Sequence, residues 1–565
     1  MQHRYYTLLM LLVVQVAFNA CKKKVDTEYD NRPNQQPVIS SNTRIVNLVG
    51  ARELQIGEMR LSSFTPPDRE GYYGSPGTLR ITPYFPENGQ IGGTYNIPTE
   101  FIGSDGIIRD LQLSSLGGRD YAPAPRPFNL QDYGREPMDY YHVRYRHGVY
   151  PDSLFAIPRS VSPSSDPTKF KVRVVNVTSP TDEFSRTGPL TLAWADGTPV
   201  DPRTSNIPVT KASDYIELPY GTYQLKLLLS DGRELPAKGS SDINVNILNP
   251  YTGTLMGHAG EPGPGNSNDT WLNYAVLKSF QPGGVYSIAA ARQGGYGVMQ
   301  DGSNGESIAA QVNSYSVIND ISEPANLTYA RVQALNTIPG KQVKWTINNS
   351  ELGSTAFGAA TDYRILVRGT YTLQAADAQG GQLAEATLTL EPGDNISAWM
   401  YTGSNGQPAI SFSSNNMSAV YSLSVNGNDG SYATRKDGFP FWIRFMNFCP
   451  QLPEVTFTSN NGSMIGASAS HVQYGQQVVN NPYVRLQPNF GTDLLVYAST
   501  PAQLPGDWLP GIAPLTSKAF IADINLYKTP GKPQSESGIY TAVLIGNLNS
   551  SGADHARLLL IKHNR

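Results

Sequence analysis

The chain is 565 residues long, with 43 basic and 46 acidic side chains, a formal net charge of −3 and two cysteines. Single cores stop growing near ~250–300 residues, so the length excludes a one-core protein, and the near-even charge balance excludes an electrostatic nucleic-acid binder. With Gly 53, Pro 42 and Tyr 32, only 16% charged residues and no long run of helical period, the composition points to an all-β protein, while 39% hydrophobic residues supply packed cores.

In chain order, residues 1–20 form a separate object. Arg4 precedes an apolar run, "TLLMLLVVQVAF", that is too short to span a bilayer as a stable helix, and small Ala20 precedes Cys21. Basic, apolar and small in that order read as a secretion signal, and "FNAC" resembles the cleavage site of bacterial lipoproteins. That resemblance implies Cys21 as the lipid-attachment residue. Residues 21–43 are polar, Pro-containing and aperiodic, as a flexible tether is. Lys22–Lys24 sit beside the lipid, and Asp26, Glu28 and Asp30 resemble the acidic tract of surface-exported lipoproteins of the Bacteroidetes type. The implied location is the outer membrane, facing the exterior. If Cys21 is acylated, Cys449 is left as a free thiol, expected to be buried.

Three signposts then recur in one order. The first is a strand ending in Asn: "TRIVN" (43–47), "VRVVN" (172–176), "VQALN" (332–336) and "WIRFMN" (442–447). The second is a Tyr–Leu–Gly sentence, "SDYIELPYGTYQLKL" from Ser213 and "TDYRILVRGTYTLQA" from Thr361, with a looser copy from Tyr483. The third is "GVYSIAAAR" (284–292), "AVYSLSVNG" (419–427) and "GIYTAVLIGN" (538–547), with "MDYYHVRYR" (138–146) as a first copy. Tyr223, Leu225, Leu227 and Leu229 alternate with polar neighbours, which is the period of a half-buried strand. Gly221 and Gly369 between the strand-like runs predict a hairpin at each. The terminal Asn is expected to bond the backbone where each first strand turns out.

Joins placed between signposts give β-sandwich domains at 44–168, 169–328, 329–440 and 441–565, the first irregular and Tyr-rich between Ser62 and Arg135. The order R-V-V-N, D-Y, L-x-x-G-T-Y-x-L, V-Y-S/T resembles an Ig-like tandem-repeat domain of unknown function found in Bacteroidetes outer-membrane lipoproteins. The resemblance implies Ig-like Greek-key sandwiches in that compartment, and it carries no activity.

No catalytic or metal-binding constellation stands out. The seven histidines make no H-E-x-x-H, and His142 and His147 fall on opposite faces of a strand, as exposed strand-end residues. Asp301, Asn304 and Glu306 miss the EF-hand spacing. The expectation is therefore a non-enzyme without cofactor or metal. Tyr72, Tyr73, Tyr84 and Phe85 sit on Gly/Pro-rich stretches and are the candidate binding residues, since such rings offer large contact area with few torsions. The expected function is an accessory or binding component of an outer-membrane assembly, in nutrient uptake or adhesion, with a membrane or cell-surface protein as partner. The alternatives are a surface glycan-binding lipoprotein serving a polysaccharide transporter, and a pure structural stalk.

Overall fold

The computed structural model describes residues 38–51, 53–62, 83–84, 91–114, 127–144, 153–180, 186–235, 237–238, 247–248, 255–256, 272–273, 276–299, 307–415, 441–478, 482–486, 493–520 and 538–564. Among them the chain is all-β, a multi-domain set of sandwiches with only short 3-10 turns between strands. No helix among the described residues is long and apolar enough to cross a membrane.

One plan is used repeatedly. In the third sandwich, Arg364–Val367, Tyr329–Asn336, Asn395–Thr402 and Pro408–Ser414 form one sheet in that order, and Ser350–Thr355, Val343–Ile347, Gly369–Ala376 and Gln382–Leu390 form the other. The strand that opens each sandwich pairs in parallel with a strand near its end. Ser40–Asn47 pairs with Met138–Val143, Lys169–Val177 with Val285–Met299, Tyr329–Asn336 with Asn395–Thr402, and Phe441–Phe448 with Gly538–Ile545. The first and third signposts are thus hydrogen-bonded neighbours at the centre of one sheet. The Asn that ends the first strand behaves as expected. Asn47, Asn336 and Asn447 donate to carbonyls in the following turn, Asn176 donates to those of Gly188 and Ile207, and all four accept backbone N–H groups through Oδ1.

Three expectations are corrected. The Tyr–Leu–Gly sentence is a crossing between sheets, with no hairpin in it. Ile216–Pro219 pairs with Lys169–Val177, whereas Gly221–Leu229 pairs with Leu190–Trp194 in the opposite sheet, and Arg364–Val367 and Gly369–Ala376 divide in the same way. The Tyr after each glycine folds back over the crossing. Tyr223 donates its OH to the Pro219 carbonyl (2.8 Å) and Tyr371 donates to that of Val367 (2.5 Å). Gly221 has no left-handed backbone. Its missing side chain leaves room instead, because a Cβ there would lie 2.5 Å from Arg331 Nη1 and 3.2 Å from the Tyr223 ring.

Second, the first sandwich follows the plan where the sequence looked irregular. Thr94–Pro98 pairs with the opening strand, and Ile107–Ser114 and Phe128–Gln131 lie in the opposite sheet. Third, the strand equivalent to "GVYSIAAAR" in the third sandwich is Asn395–Thr402; residues 419–427 lie outside the described residues.

The parallel strands are buried on both faces. Met138–Val143 and Gly538–Ile545 are buried at every residue, and their alternation divides each strand between two cores. Ile45 faces its own sandwich while Val46 joins Tyr141, Val175 and Ala289 in a cluster shared with the second sandwich. Likewise Ala398 packs inward, while Leu335 and Trp399 meet Met446, Phe448, Val543 and Ile545 of the fourth sandwich. The sandwiches are therefore joined back to back, first with second and third with fourth. Trp399 is fully buried at the second junction and donates its indole N–H to Ser413 Oγ (2.8 Å). Trp399→Ala is expected to lower stability by about 3–5 kcal/mol in denaturant unfolding of the whole chain. A loss under about 1 kcal/mol would mean that the junction carries little.

Candidate functional site

Each junction holds a layer of buried polar side chains. Each of these four parallel pairs has a polar register row: Arg44 opposite Asp139, Arg173 opposite Ser287, Gln333 opposite Ser397 and Arg444 opposite Thr541. The residue after each last strand joins this row. Arg159, Asp320, Asn415 and His563 each donate a backbone N–H to a carbonyl at the start of the parallel strand, Pro137, Val285, Asn395 and Ile539, at 2.9, 2.8, 2.7 and 2.8 Å respectively. The Tyr of the repeated D-Y is the third contributor. Tyr215 and Tyr363 precede the residues paired with Val172 and Val332, and Tyr483 is paired with Arg444.

Between the first and second sandwiches this layer is ionic. Arg44 grips Asp139 with Nε and Nη2 (2.8 and 2.7 Å) and reaches across to Asp320 Oδ1 (2.9 Å) and the Asn319 carbonyl (2.7 Å). Tyr215 and Ser287 donate their hydroxyls to Asp320 Oδ2 (2.8 and 2.7 Å), and Arg173 stacks on the Tyr215 ring at 4.6 Å. Burial works against the Arg44 charge, but the Asp139 and Asp320 carboxylates outweigh it and hold the guanidinium above its ordinary pKa. For Arg159, burial dominates and lowers it.

Between the third and fourth sandwiches the layer is mostly neutral. Gln333 Nε2 donates to His563 Nδ1 (3.1 Å), so the imidazole carries its proton on Nε2, which donates to Thr541 Oγ1 (2.7 Å). Burial, reinforced by Arg444, pushes His563 well below the usual histidine range. Arg444 contacts Thr541 and Asn415 and lies 4.9 Å from the Tyr483 ring centroid.

Of the residues singled out in the sequence, Tyr84 is half-buried at the edge of the first core, its ring 5.4 Å from that of Phe101 and its OH 3.7 Å from Met59 Sδ. Burial, with Glu100 nearby, raises its phenol pKa. Cys21, Tyr72, Tyr73, Phe85, His147 and the 301–306 loop lie outside the described residues. His142 is buried within its strand, and is not the exposed strand-end residue expected. Cys449 is a buried free thiol whose pKa burial pushes up. No group of three or more His, Cys, Asp or Glu among the described residues is placed to hold a metal. Buried Glu454 accepts a hydrogen bond from His471 Nδ1 (2.6 Å), which lowers its carboxyl pKa.

Sequence reading missed the role of the D-Y tyrosine, although its recurrence was the available signal: both copies place the ring in a junction. No family model matches the chain, and no curated protein matches it. The class defined by the fold is a multi-domain all-β protein of back-to-back sandwiches.

An unfolded histidine protonates near ~6.5, whereas folded His563 resists protonation, so its contribution is intact above about pH 6.5 and is lost as pH falls towards the folded value. Melting temperature should therefore drop more steeply from pH 7 to pH 5 in the native protein than in His563→Gln. Parallel profiles would contradict a neutral buried imidazole.

Proposed function

We propose that the chain is a non-enzymatic, lipid-anchored cell-surface protein whose joined sandwiches form a stiff platform for binding a partner in an outer-membrane assembly. The observation that carries this reading is where the buried polar groups go. Arg44, Asp139, Asp320, Gln333, Arg444 and His563 are spent holding sandwiches together, which serves a rigid support and leaves them unsuited to acid–base turnover. The "FNAC" sequence at Cys21 and the acidic tract behind it support lipid anchoring at the outer membrane, and the resemblance to Bacteroidetes-type tandem-repeat lipoproteins points to the same compartment.

Partner contact is assigned to Tyr72, Tyr73 and Phe85, which lie outside the described residues, because tyrosine and phenylalanine rings on Gly/Pro-rich sequence offer large contact area with few torsions. A neighbouring outer-membrane protein is the favoured partner because a short tether keeps the first sandwich near the membrane.

Cys21→Ala should shift the protein from the membrane to the soluble fraction on cell fractionation; full membrane retention would place the anchor elsewhere. In the anchored protein, Tyr72→Ser with Tyr73→Ser should cut recovery of a cross-linked membrane partner at least several-fold with an unchanged melting profile. Equal recovery would remove this stretch from the interface.

A further inference from the structure

The crossing at Gly221 faces the third sandwich across a cleft of about 320 Å³. Its walls include Tyr220, Ser279, Phe280, Glu323, Asn326 and Arg331. That volume lies in the range of small-ligand sites, about 300–1,000 Å³.

Arg331 is the unusual member. It is only 9% exposed, yet no carboxylate among the described residues lies within ion-pair distance of it. Its guanidinium lies 5.6 Å from the Tyr220 ring centroid and 5.3 Å from that of Tyr363, and its one hydrogen bond goes from Nη2 to Thr222 Oγ1 at 3.3 Å. Of the buried arginines in the junction layers, Arg44 has two carboxylates and Arg159 lies 3.4 Å from Asp139, while Arg173 is held by Ser287 and the Pro158 carbonyl and Arg444 by Thr541, Asn415 and the Ser414 carbonyl. A cation withdrawn from water and left without an anion is costly, so an Arg held this way is poised for one from outside.

The shared plan does not demand this arrangement. The polar register position in this strand belongs to Gln333, two residues on, and Arg368 stands before Gly369 where Tyr220 stands before Gly221. Gly221 makes the room, since any Cβ there would collide with Nη1.

The opposite wall limits the ligand. Glu323 Oε1 accepts from Lys278 Nζ (2.8 Å) and Tyr286 OH (2.7 Å), so its charge is engaged while its second oxygen can accept a hydroxyl. A carboxylate on one side repels a second negative charge and suits a hydroxylated body. The cleft is also lined by Tyr220, Phe280 and Pro324, whose apolar surfaces suit the flat face of a ring.

We propose that this cleft binds a small hydroxylated monocarboxylic acid with the size and chemistry of an acidic monosaccharide, Arg331 taking the carboxylate and Glu323 a hydroxyl. Planar guanidinium recognises carboxylate in a bidentate manner, which a lysine cannot reproduce. The site depends neither on the lipid anchor nor on Tyr72 and Tyr73, so its test and theirs fail separately.

The test is calorimetric titration of the full chain with glucuronate, glucose and inorganic phosphate. Glucuronate should bind at least tenfold more tightly than glucose, and Arg331→Gln should remove that preference. Glu323→Gln should improve phosphate binding several-fold, a gain that misfolding could not produce and that decides the matter if Arg331→Gln fails to fold. Equal binding of glucose and glucuronate, no binding of any probe, tighter phosphate than glucuronate in the native protein, or a well-folded Arg331→Gln with unchanged affinity would each overturn the proposal.

Discussion

The parallel pairing of the opening strand with a strand near the end of each sandwich is the constraint on which the rest depends. It puts two strands at the centre of one sheet and buries them from both sides. Their buried apolar residues then divide between the sandwich's own core and the junction with its neighbour. Ile45 and Val46, Ala398 and Trp399, and Ala542 and Val543 show this division one residue at a time. A sheet that must bury its outer face cannot remain alone, and here it is covered by the equivalent sheet of the next sandwich.

The polar row follows from that burial. Once a backbone crosses a dry junction, any polar side chain on it needs a partner with good geometry. The first junction meets the need with charge, through Arg44, Asp139 and Asp320. The second does so mostly with neutral groups, through Gln333, Ser397 and a histidine kept unprotonated, around the single guanidinium of Arg444. The same positions are used in both, so one backbone plan tolerates two chemistries. The ionic version orders its partners by charge. The neutral version makes its contact sensitive to acid.

How much of this could be read from the sequence depended on how local the signal was. Strand existence, the turning Asn and the recurrence of the D-Y sentence were legible because each is written in a few consecutive residues. Strand partners were not. The alternation around Tyr223 and Tyr371 is the same for a hairpin as for a crossing, and nothing local says that Pro219 and Gly221 fall in different sheets. The third signpost was misplaced in the third sandwich because "AVYSLSV" resembles its counterparts more closely than "NISAWMY". The better guide was the preceding turn, Gln281-Pro282-Gly283 in one sandwich and Glu391-Pro392-Gly393 in the other. The Arg331 cleft had no signature at all. Tyr220 and Arg331 are far apart in the chain and meet only because two sandwiches do.

The central claim is that sandwiches are joined through buried faces rather than strung on linkers, and the Arg44–Asp320 contact across the first junction tests it most directly. In a double-mutant cycle of Arg44→Gln and Asp320→Asn, each single change should cost about 3–5 kcal/mol by leaving a buried charge short of a partner. The pair should lose at least about 2 kcal/mol less than the sum. Effects that add within about 0.5 kcal/mol would show that the two residues do not sense each other, and the back-to-back junction would be wrong.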